Sequence, residues 1–375
     1  MLMKIAIKRL TASDLTFFEW HFVNRKAGNQ KAINLNADVF IGEFYPALPE
    51  TVRQRGGRIP IDLYIHGPGL SAEHNLQRKI IKSGESYKNW RLNGEFVANP
   101  QGEPGRFNAL EPQDIVVLRF EGDPFVPTTL KSVFLARSLD EDAALQTLLD
   151  DWLGNRRMAS IALSELSMLV TKSASPLEHP IHELLLDESL EEAAQGGYEG
   201  IRRLFRRRSG NRLSKDDLLK ARADADNTGI RGEEYVFSFL AAKRDRGELK
   251  EVEWTSRINA VAPFDFRIIH HDGTEIAVEV KTTTGDFNRR IHISYAELSE
   301  LALRGKDYHL YRVYGIEDSQ AKLRIAAEGH ILAEDIIRSL NTLPPGVVPD
   351  SFSIQPDVLD FGQVIKLQSA EDHED

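Results

Sequence analysis

The spacing of hydrophobic and polar positions changes twice along the chain. Over residues 1 to 137, short apolar or alternating runs such as "VFIGEFYPAL", "IPIDLYIHGPG", "WRLNGEFVANP" and "DIVVLRFEGDPF" are bounded by Gly, Pro, Asn and Asp. That is the pattern of strands separated by turns. One amphipathic helix, "SDLTFFEWHF", is expected behind a cap at Thr11 or Ser13. From about 140 to 226 the spacing turns helical in "DEDAALQTLLDDWLGNRR", "ASIALSELSMLVTK", "HELLLDESLEEAAQ" and "GIRRLFRRR". From 227 the two periods alternate. A helix is expected from Gly232 to Gly247, then strands at "EVEWTS", "FDFRIIHH" and "EIAVEVKTT", the last two joined by an Asp272-Gly273 turn. A helix "SYAELSELALRG" follows, with Ser294 and Glu297 forming a capping box, and then a strand "YHLYRVYGI". The order is α-β-β-β-α-β. The expected organisation is a β-rich domain at 1–137, a helical connector at 138–226, an α/β domain with a mixed sheet at 227–345, and an extension at 346–375 that ends in an acidic tail.

Composition narrows the class. With 375 residues, 41% hydrophobic and 28% charged, the chain can build more than one packed core. No run of 18 apolar residues predicts a membrane span, and the first residues lack the apolar stretch of a secretory leader. Cysteine is absent, which excludes disulfides, thiol catalysis and Cys-based zinc sites and fits the cytoplasm. The formal net charge is -10, so a nucleic-acid surface requires local basic clustering. Residues 21–106 provide some: twelve Lys or Arg against eight Asp or Glu.

The stretch "FDFRIIHHDGTEIAVEVKTTTGDF" carries the chemistry. Side chains alternate along a strand, so Glu279 and Lys281 share one face while Ile276, Val278 and Val280 share the other. The hairpin returns Asp265 to the same end of the sheet. Carboxylates are the hard oxygen ligands that Mg²⁺ prefers, and a lysine ammonium beside them can stabilise charge on a phosphate. Glu233 on the preceding helix adds an acid; Glu234 competes with it, because the helix phase is open. An isolated Glu-x-Lys pair is usually a solvated face. Here it sits on an apolar strand, after a hairpin that opens with Asp and a helix that carries Glu.

The segments "GIRGEEYVFSFL", "EVEWTS", "PFDFRIIHHDGTEIAVEVKTT", "HISYAELSEL" and "YHLYRVYGI" resemble the Protein NO VEIN carboxy-terminal domain family over roughly residues 227–330. That family is similar to the PD-(D/E)XK nucleases. The resemblance implies a catalytic set of Asp265, Glu279 and Lys281 with Glu233 as accessory acid. It also implies Mg²⁺ or Mn²⁺ held by Asp265, Glu279 and the Val280 carbonyl. Phe264 stands where the nuclease motif has Pro. Members of such families also serve as binding modules without cutting.

Upstream, "KAINLNADVF", "NWRLNGEF" and "RFNALEPQDIVVLRFEG" resemble the pseudobarrel DNA-recognition domains of EcoRII-type restriction enzymes. With that resemblance, "RQRGGR" (Arg53, Arg55) and "YKNWRLNGEF" (Trp90, Arg91) are candidates for DNA contact. In "IRRLFRRRSGNRLSK", helical spacing puts Arg203 and Arg207 on one face, either gripping DNA or pairing with the acidic run "LLLDESLEEAAQ". His270, His271, His292 and Thr282 to Thr284 are secondary candidates. No phosphate-binding loop of the GxxxxGK[ST] type occurs. The expectation is a Mg²⁺-dependent endonuclease of restriction or phage-defence type acting on double-stranded DNA, with a site that can carry a modified base. Such enzymes commonly work as homodimers or with partner proteins of a defence system. The alternatives are a non-cutting DNA-binding or adaptor protein and an RNA-processing nuclease.

Overall fold

In the run Arg58–His66, Ile59, Ile61, Leu63 and Ile65 are buried while the residues between them are more exposed. This strand is one of eight in a sheet of the computed structural model, which describes residues 4–25, 27–28, 30–54, 57–82, 90–123, 125–205, 214–316 and 320–368. The described residues divide into two compact units. One holds those of Met1–Asp187 and Phe205–Arg212, the other those of Glu188–Leu204 and Leu213–Asp375.

The strands of the first unit are β1 (Lys4–Arg9), β2 (Ala32–Leu35), β3 (Arg58–His66), β4 (His74–Lys82), β5 (Trp90–Asn93), β6 (Ile115–Gly122), β7 (Pro127–Leu135) and β8 (Met158–Ser160). They lie in the order β2-β5-β4-β3-β7-β6-β1-β8, antiparallel except for the β3–β7 pair. Its helices are α1 (Ala12–Leu15), α2 (Glu19–Arg25), α3 (Ala37–Val39), α4 (Leu48–Gln54), α5 (Asp140–Leu153) and α6 (Leu163–Lys172). Alternation along β1 sends Ala6 into one core, with Phe18, Phe40, Trp90 and Phe107, and Ile5 and Ile7 into a second on the other face.

Three sequence expectations change here. "VFIGEFYPAL" is helical, not a strand: α3 runs into a π-helical turn at Phe40–Phe44 that buries Phe40, Ile41 and Phe44. A short apolar run has no period that separates a strand from a buried helix. The amino-terminal helix is capped by Thr11, reciprocated by Asp14, but breaks into α1 and α2. The residues expected as a connector do not stand apart. Leu145, Leu149 and Leu153 of α5 and Leu163, Leu166 and Val170 of α6 complete the second core. Asp142 of α5 fastens that helix: its carboxylate, fully buried, accepts from the Gly69 and Ala136 amides at 2.9 and 2.8 Å and meets His179 Nε2 at 2.8 Å.

The second unit begins with α7 (from Leu186 to Ala194) and α8 (Tyr198–Phe205), followed by α9 (Lys215–Asp245). After α9 come β9 (Glu251–Trp254), α10 (Thr255–Ile258), β10 (Phe266–Ile269), β11 (Glu275–Thr282), β12 (Ile291–Ser294), α11 (Tyr295–Arg304), β13 (Tyr308–Tyr314), β14 (Gln320–Ala326), α12 (His330–Leu340), β15 (Ser351–Ile354) and β16 (Ile365–Gln368). The main sheet has the order β16-β14-β13-β11-β10-β9, with β11 and β13 parallel and the other neighbours antiparallel; β12 and β15 form a separate pair. Tyr235, Val236 and Leu240 of α9 pack on one face with Val278 and Val280. Leu298 and Leu301 of α11 and Ala333 of α12 pack on the other with Ala277. The result is a mixed α/β layer structure. Among the described residues, no helix is long and apolar enough to cross a membrane.

One glycine sets the approach of α9 to β11. At Gly232 a Cβ would collide with the Oγ1 and Cγ2 of Thr282, the last residue of β11. Thr282 is β-branched and cannot easily turn away. Gly232→Ala should therefore lower the unfolding free energy by about 1–3 kcal/mol, the usual cost of overpacking, and Thr282→Ala in the same chain should recover part of it. Paired thermal melts of the single and double variants measure both effects.

Candidate active site

On β11, Ala277, Glu279 and Lys281 share the face that turns away from Val278 and Val280. Asp265 stands just before β10. Its amide donates to the Val278 carbonyl at 2.9 Å, and its Oδ2 accepts from the Val280 amide at 2.8 Å. The amide and carbonyl of one strand residue point to the same side, so the Val280 carbonyl opens toward Asp265. The Lys281 ammonium lies 2.7 Å from Glu279 Oε1 and 2.7 Å from Glu297 Oε2. Sequence reasoning assigned Glu297 only a capping role. It does cap α11, its Oε2 accepting from the Ser294 amide at 2.9 Å, but the same oxygen meets the lysine.

The helix phase is resolved. Glu233 turns inward, where its Oε2 accepts from Trp254 Nε1 at 3.0 Å and Ser256 Oγ at 2.9 Å. Glu234 is exposed and pairs with Arg257 at 3.5 Å. The structure therefore gathers Glu233, Asp265, Glu279, Lys281 and Glu297 at the end of β11.

Their charges are unbalanced. Burial, then the charge of Glu233, pushes the Asp265 carboxyl up to about 7 against the opposing effects of the Val280 amide and Lys281. Burial also drives the Glu279 carboxyl well above its ordinary range, although Lys281 opposes the shift. Burial alone would lower Lys281; Glu279 and Glu297 more than offset it, and the ammonium is held above its ordinary value. Tyr308, fully buried with its hydroxyl donating to the Pro263 carbonyl at 2.6 Å, is raised by burial and by Glu279. Two carboxylates thus contact the one ammonium, and Asp265 and Glu233 add their acid groups beside it.

That donor set suits a hard divalent ion: two carboxylates of raised pKa, one backbone carbonyl, and excess negative charge to be neutralised. Among the described residues, no three acidic or histidine side chains form a cage for a metal. Asp265, Glu279 and the Val280 carbonyl are the oxygen groups present there.

The other candidates separate clearly. Trp90, fully buried, packs 5.9 Å from the Phe40 ring, so it belongs to the core and is not a surface contact residue. Arg91, next along β5, is half-buried. Arg53 is exposed and pairs with Glu50 at 3.1 Å. Arg55 and Arg207 lie outside the described residues. Arg203 is buried against the charge of Glu192, the acidic-run alternative. His271 Nε2 contacts the Gly247 carbonyl at 3.0 Å at the hairpin tip. His292 is held neutral, pulled down to about 4 by burial and by Arg312 and Lys281. In the first unit a groove of about 800 Å³ is lined in part by Lys8, Arg9, Asn34, Asn36, Gln113 and Arg157. Sequence reasoning missed it, since its residues come from four separated stretches that only the sheet brings together.

Residues 232–326 match the family model described as Protein NO VEIN, C-terminal. The match starts at the glycine that seats α9, ends with β14, and encloses every member of the acid–lysine cluster. Comparison with curated proteins finds no match to the chain.

The raised Asp265 pKa has a stability consequence. Below about pH 4 the carboxyl is protonated in both folded and unfolded chains. From there to about 7 only the folded chain keeps the proton. Stability is thus greatest at the acid side of this window and falls as pH rises through about 7. Asp265→Asn should flatten that fall relative to wild type. Chemical denaturation from pH 4.5 to 8 without divalent ions measures it; equal slopes in the two proteins would refute the assignment.

Proposed function

We propose that the chain is a divalent-metal-dependent endonuclease that hydrolyses phosphodiester bonds in double-stranded DNA, of restriction or phage-defence type. The observation that carries the reading is the pairing of Glu279 and Glu297 with one half-buried lysine on β11, with Asp265 beside it pushed up to about 7. A water-exposed surface has no reason to hold such an imbalance; a site built for a cation and a phosphate does. The sheet arrangement also supports a PD-(D/E)XK-like reading of the second unit, with β9, β10 and β11 antiparallel, β13 parallel to β11, and helices on both faces.

The residues divide the work. Asp265, Glu279 and the Val280 carbonyl would hold Mg²⁺ or Mn²⁺, which when bound supplies charge neutralisation at the scissile phosphate and a lowered pKa for water. Lys281 is fixed by Glu279 and Glu297, so its ammonium is aimed at developing negative charge at no cost of reorganisation. Glu233, immobilised by Trp254 and Ser256, holds negative charge next to Asp265. The first unit would recognise the DNA site as a pseudobarrel-like domain. Its groove offers Asn36, Gln113 and Arg157, side chains able to read base edges, while Lys8 and Arg9 in its wall are held in ion pairs with Asp14 and Asp150.

A second reading has its own observation. The two 2.7 Å contacts on Lys281 would also serve a DNA-binding or adaptor module that does not cut. Cleavage separates the readings. Glu279→Gln and Lys281→Ala should each lower Mg²⁺-dependent cleavage of plasmid DNA by about 10²-fold or more, while circular dichroism remains that of wild type. Glu233→Gln should cause a smaller loss. No cleavage of modified or unmodified DNA, or of RNA, with Mg²⁺ or Mn²⁺ would leave the binding module.

Recognition by the first unit gives a separate expected outcome. The second core requires α5 and α6, so a fragment ending near residue 137 should aggregate or unfold. A fragment of residues 1–187 should fold and bind duplex DNA with an affinity that falls as salt rises. Absence of binding at low salt would remove this unit from recognition.

A further inference from the structure

Beside the acid–lysine cluster lies a second, oppositely charged one. Thr283 directly follows β11, and Arg289 and Arg290 lie on the segment that leads into β12. Arg312 of β13, level with Lys281 in the parallel ladder, ties this segment down. Its Nη2 donates to the Arg289 carbonyl at 2.9 Å and its Nη1 to the Lys281 carbonyl at 3.4 Å. Arg312 is 2% exposed, and its Nε is buried with no hydrogen-bond partner. Among the described residues no carboxylate forms an ion pair with it, so its charge adds to a positive field that Arg289 and Arg290 share.

Carboxylates of α7 sit on this cluster. Glu191 accepts from Thr283 Oγ1 at 2.9 Å and pairs with Arg289, while Glu192 lies 4.0 Å from the Arg290 guanidinium. A guanidinium and a hydroxyl converging on one anionic oxygen pair is also how a phosphate is held. The placement is specified by the chain. At Gly197, between α7 and α8, a Cβ would collide with Glu192 and with His292 of β12; at Gly200 it would run into the α7 backbone. Only glycine permits this seating. Through the Lys281–Arg312 register the cluster adjoins Lys281, and α7 covers it with the adjacent acids Glu191 and Glu192.

We propose that Thr283, Arg289 and Arg290 form a phosphate-binding subsite for the DNA backbone next to Lys281, and that Glu191 and Glu192 occupy it in competition with DNA. Arg312 is the positioning residue that holds the subsite to β11. The identity of the anion rests on the nuclease reading; the competition itself is read by binding alone. DNA and the α7 carboxylates exclude one another, so weakening the internal contact strengthens the external one.

Fluorescence anisotropy with a short labelled DNA duplex, in Ca²⁺ or EDTA so that binding is separated from cleavage, tests this in the full chain. Glu191→Gln and the double variant with Glu192→Gln keep side-chain shape and remove charge. Affinity should rise by roughly tenfold, as when like charge facing an anionic ligand is removed. Arg289→Ala and Arg290→Ala should weaken binding and reduce its salt dependence. Asp335→Asn, the same charge change on α12 in the Arg338 ion pair, should leave affinity unchanged. An affinity gain for Glu191→Gln no larger than that for Asp335→Asn overturns the proposal, even if the wild type cuts DNA. If Glu191→Gln tightens binding while no protein cuts, the subsite stands and the nuclease reading falls. If wild type and all variants fail to bind, both fall. Should the double variant melt early, the single Glu191→Gln variant decides.

Discussion

The arrangement at the end of β11 depends on one half-buried ammonium. Lys281 has two carboxylate partners at 2.7 Å, Glu279 on its own strand and Glu297 at the start of α11. Burying a charge is tolerable only when it is paired. The pairing therefore fixes the helix start, the strand face and the lysine together. It also concentrates negative charge, because Asp265 and Glu233 come to the same place on separate supports. Removing the lysine would leave these carboxylates facing one another in a poorly solvated pocket.

The site was largely legible because its parts lie on regular elements. The alternation of "IAVEVKTT" puts Glu279 and Lys281 on one face, and the Asp-Gly turn puts Asp265 beside Val280. The Ser294 and Glu297 capping box was read from spacing alone and is present. What spacing could not show was that the Glu297 carboxylate has a second partner, since that contact joins residues on different elements. The choice between Glu233 and Glu234 depended on Trp254 and Ser256, which lie after the helix ends. The basic cluster stayed hidden because Arg312 is buried in a strand that reads as ordinary core.

Misreadings in the first unit share one cause. "VFIGEFYPAL" is apolar nearly throughout, so period carried no information, and Phe40, Ile41 and Phe44 are buried from a helical turn. Trp90 looked like a surface aromatic because basic and polar residues surround it in sequence, yet strand alternation sends it inward and leaves Arg91 half-buried on the opposite face. The helices after residue 137 were taken for a linker because helices after strands look like a change of domain. Their leucines instead meet Ile5, Ile7 and Val117 across the sheet. Sequence order recorded a boundary that packing does not respect.

The seating of α9 on β11 at Gly232 also divides that helix by function. Its buried residues are Gly232, Tyr235, Val236 and Leu240, all in its second half; the turns from Lys215 to Arg231 are exposed or only partly covered. Glu233 takes its position from the glycine beside it and not from where the helix begins. The first half is therefore a free parameter of the architecture. Turns can be added or lost before Arg231 without rotating Glu233 out of the site, whereas a single inserted residue after Gly232 would swing it by about 100° around the axis. Length can vary on one side of this contact, and register is locked on the other.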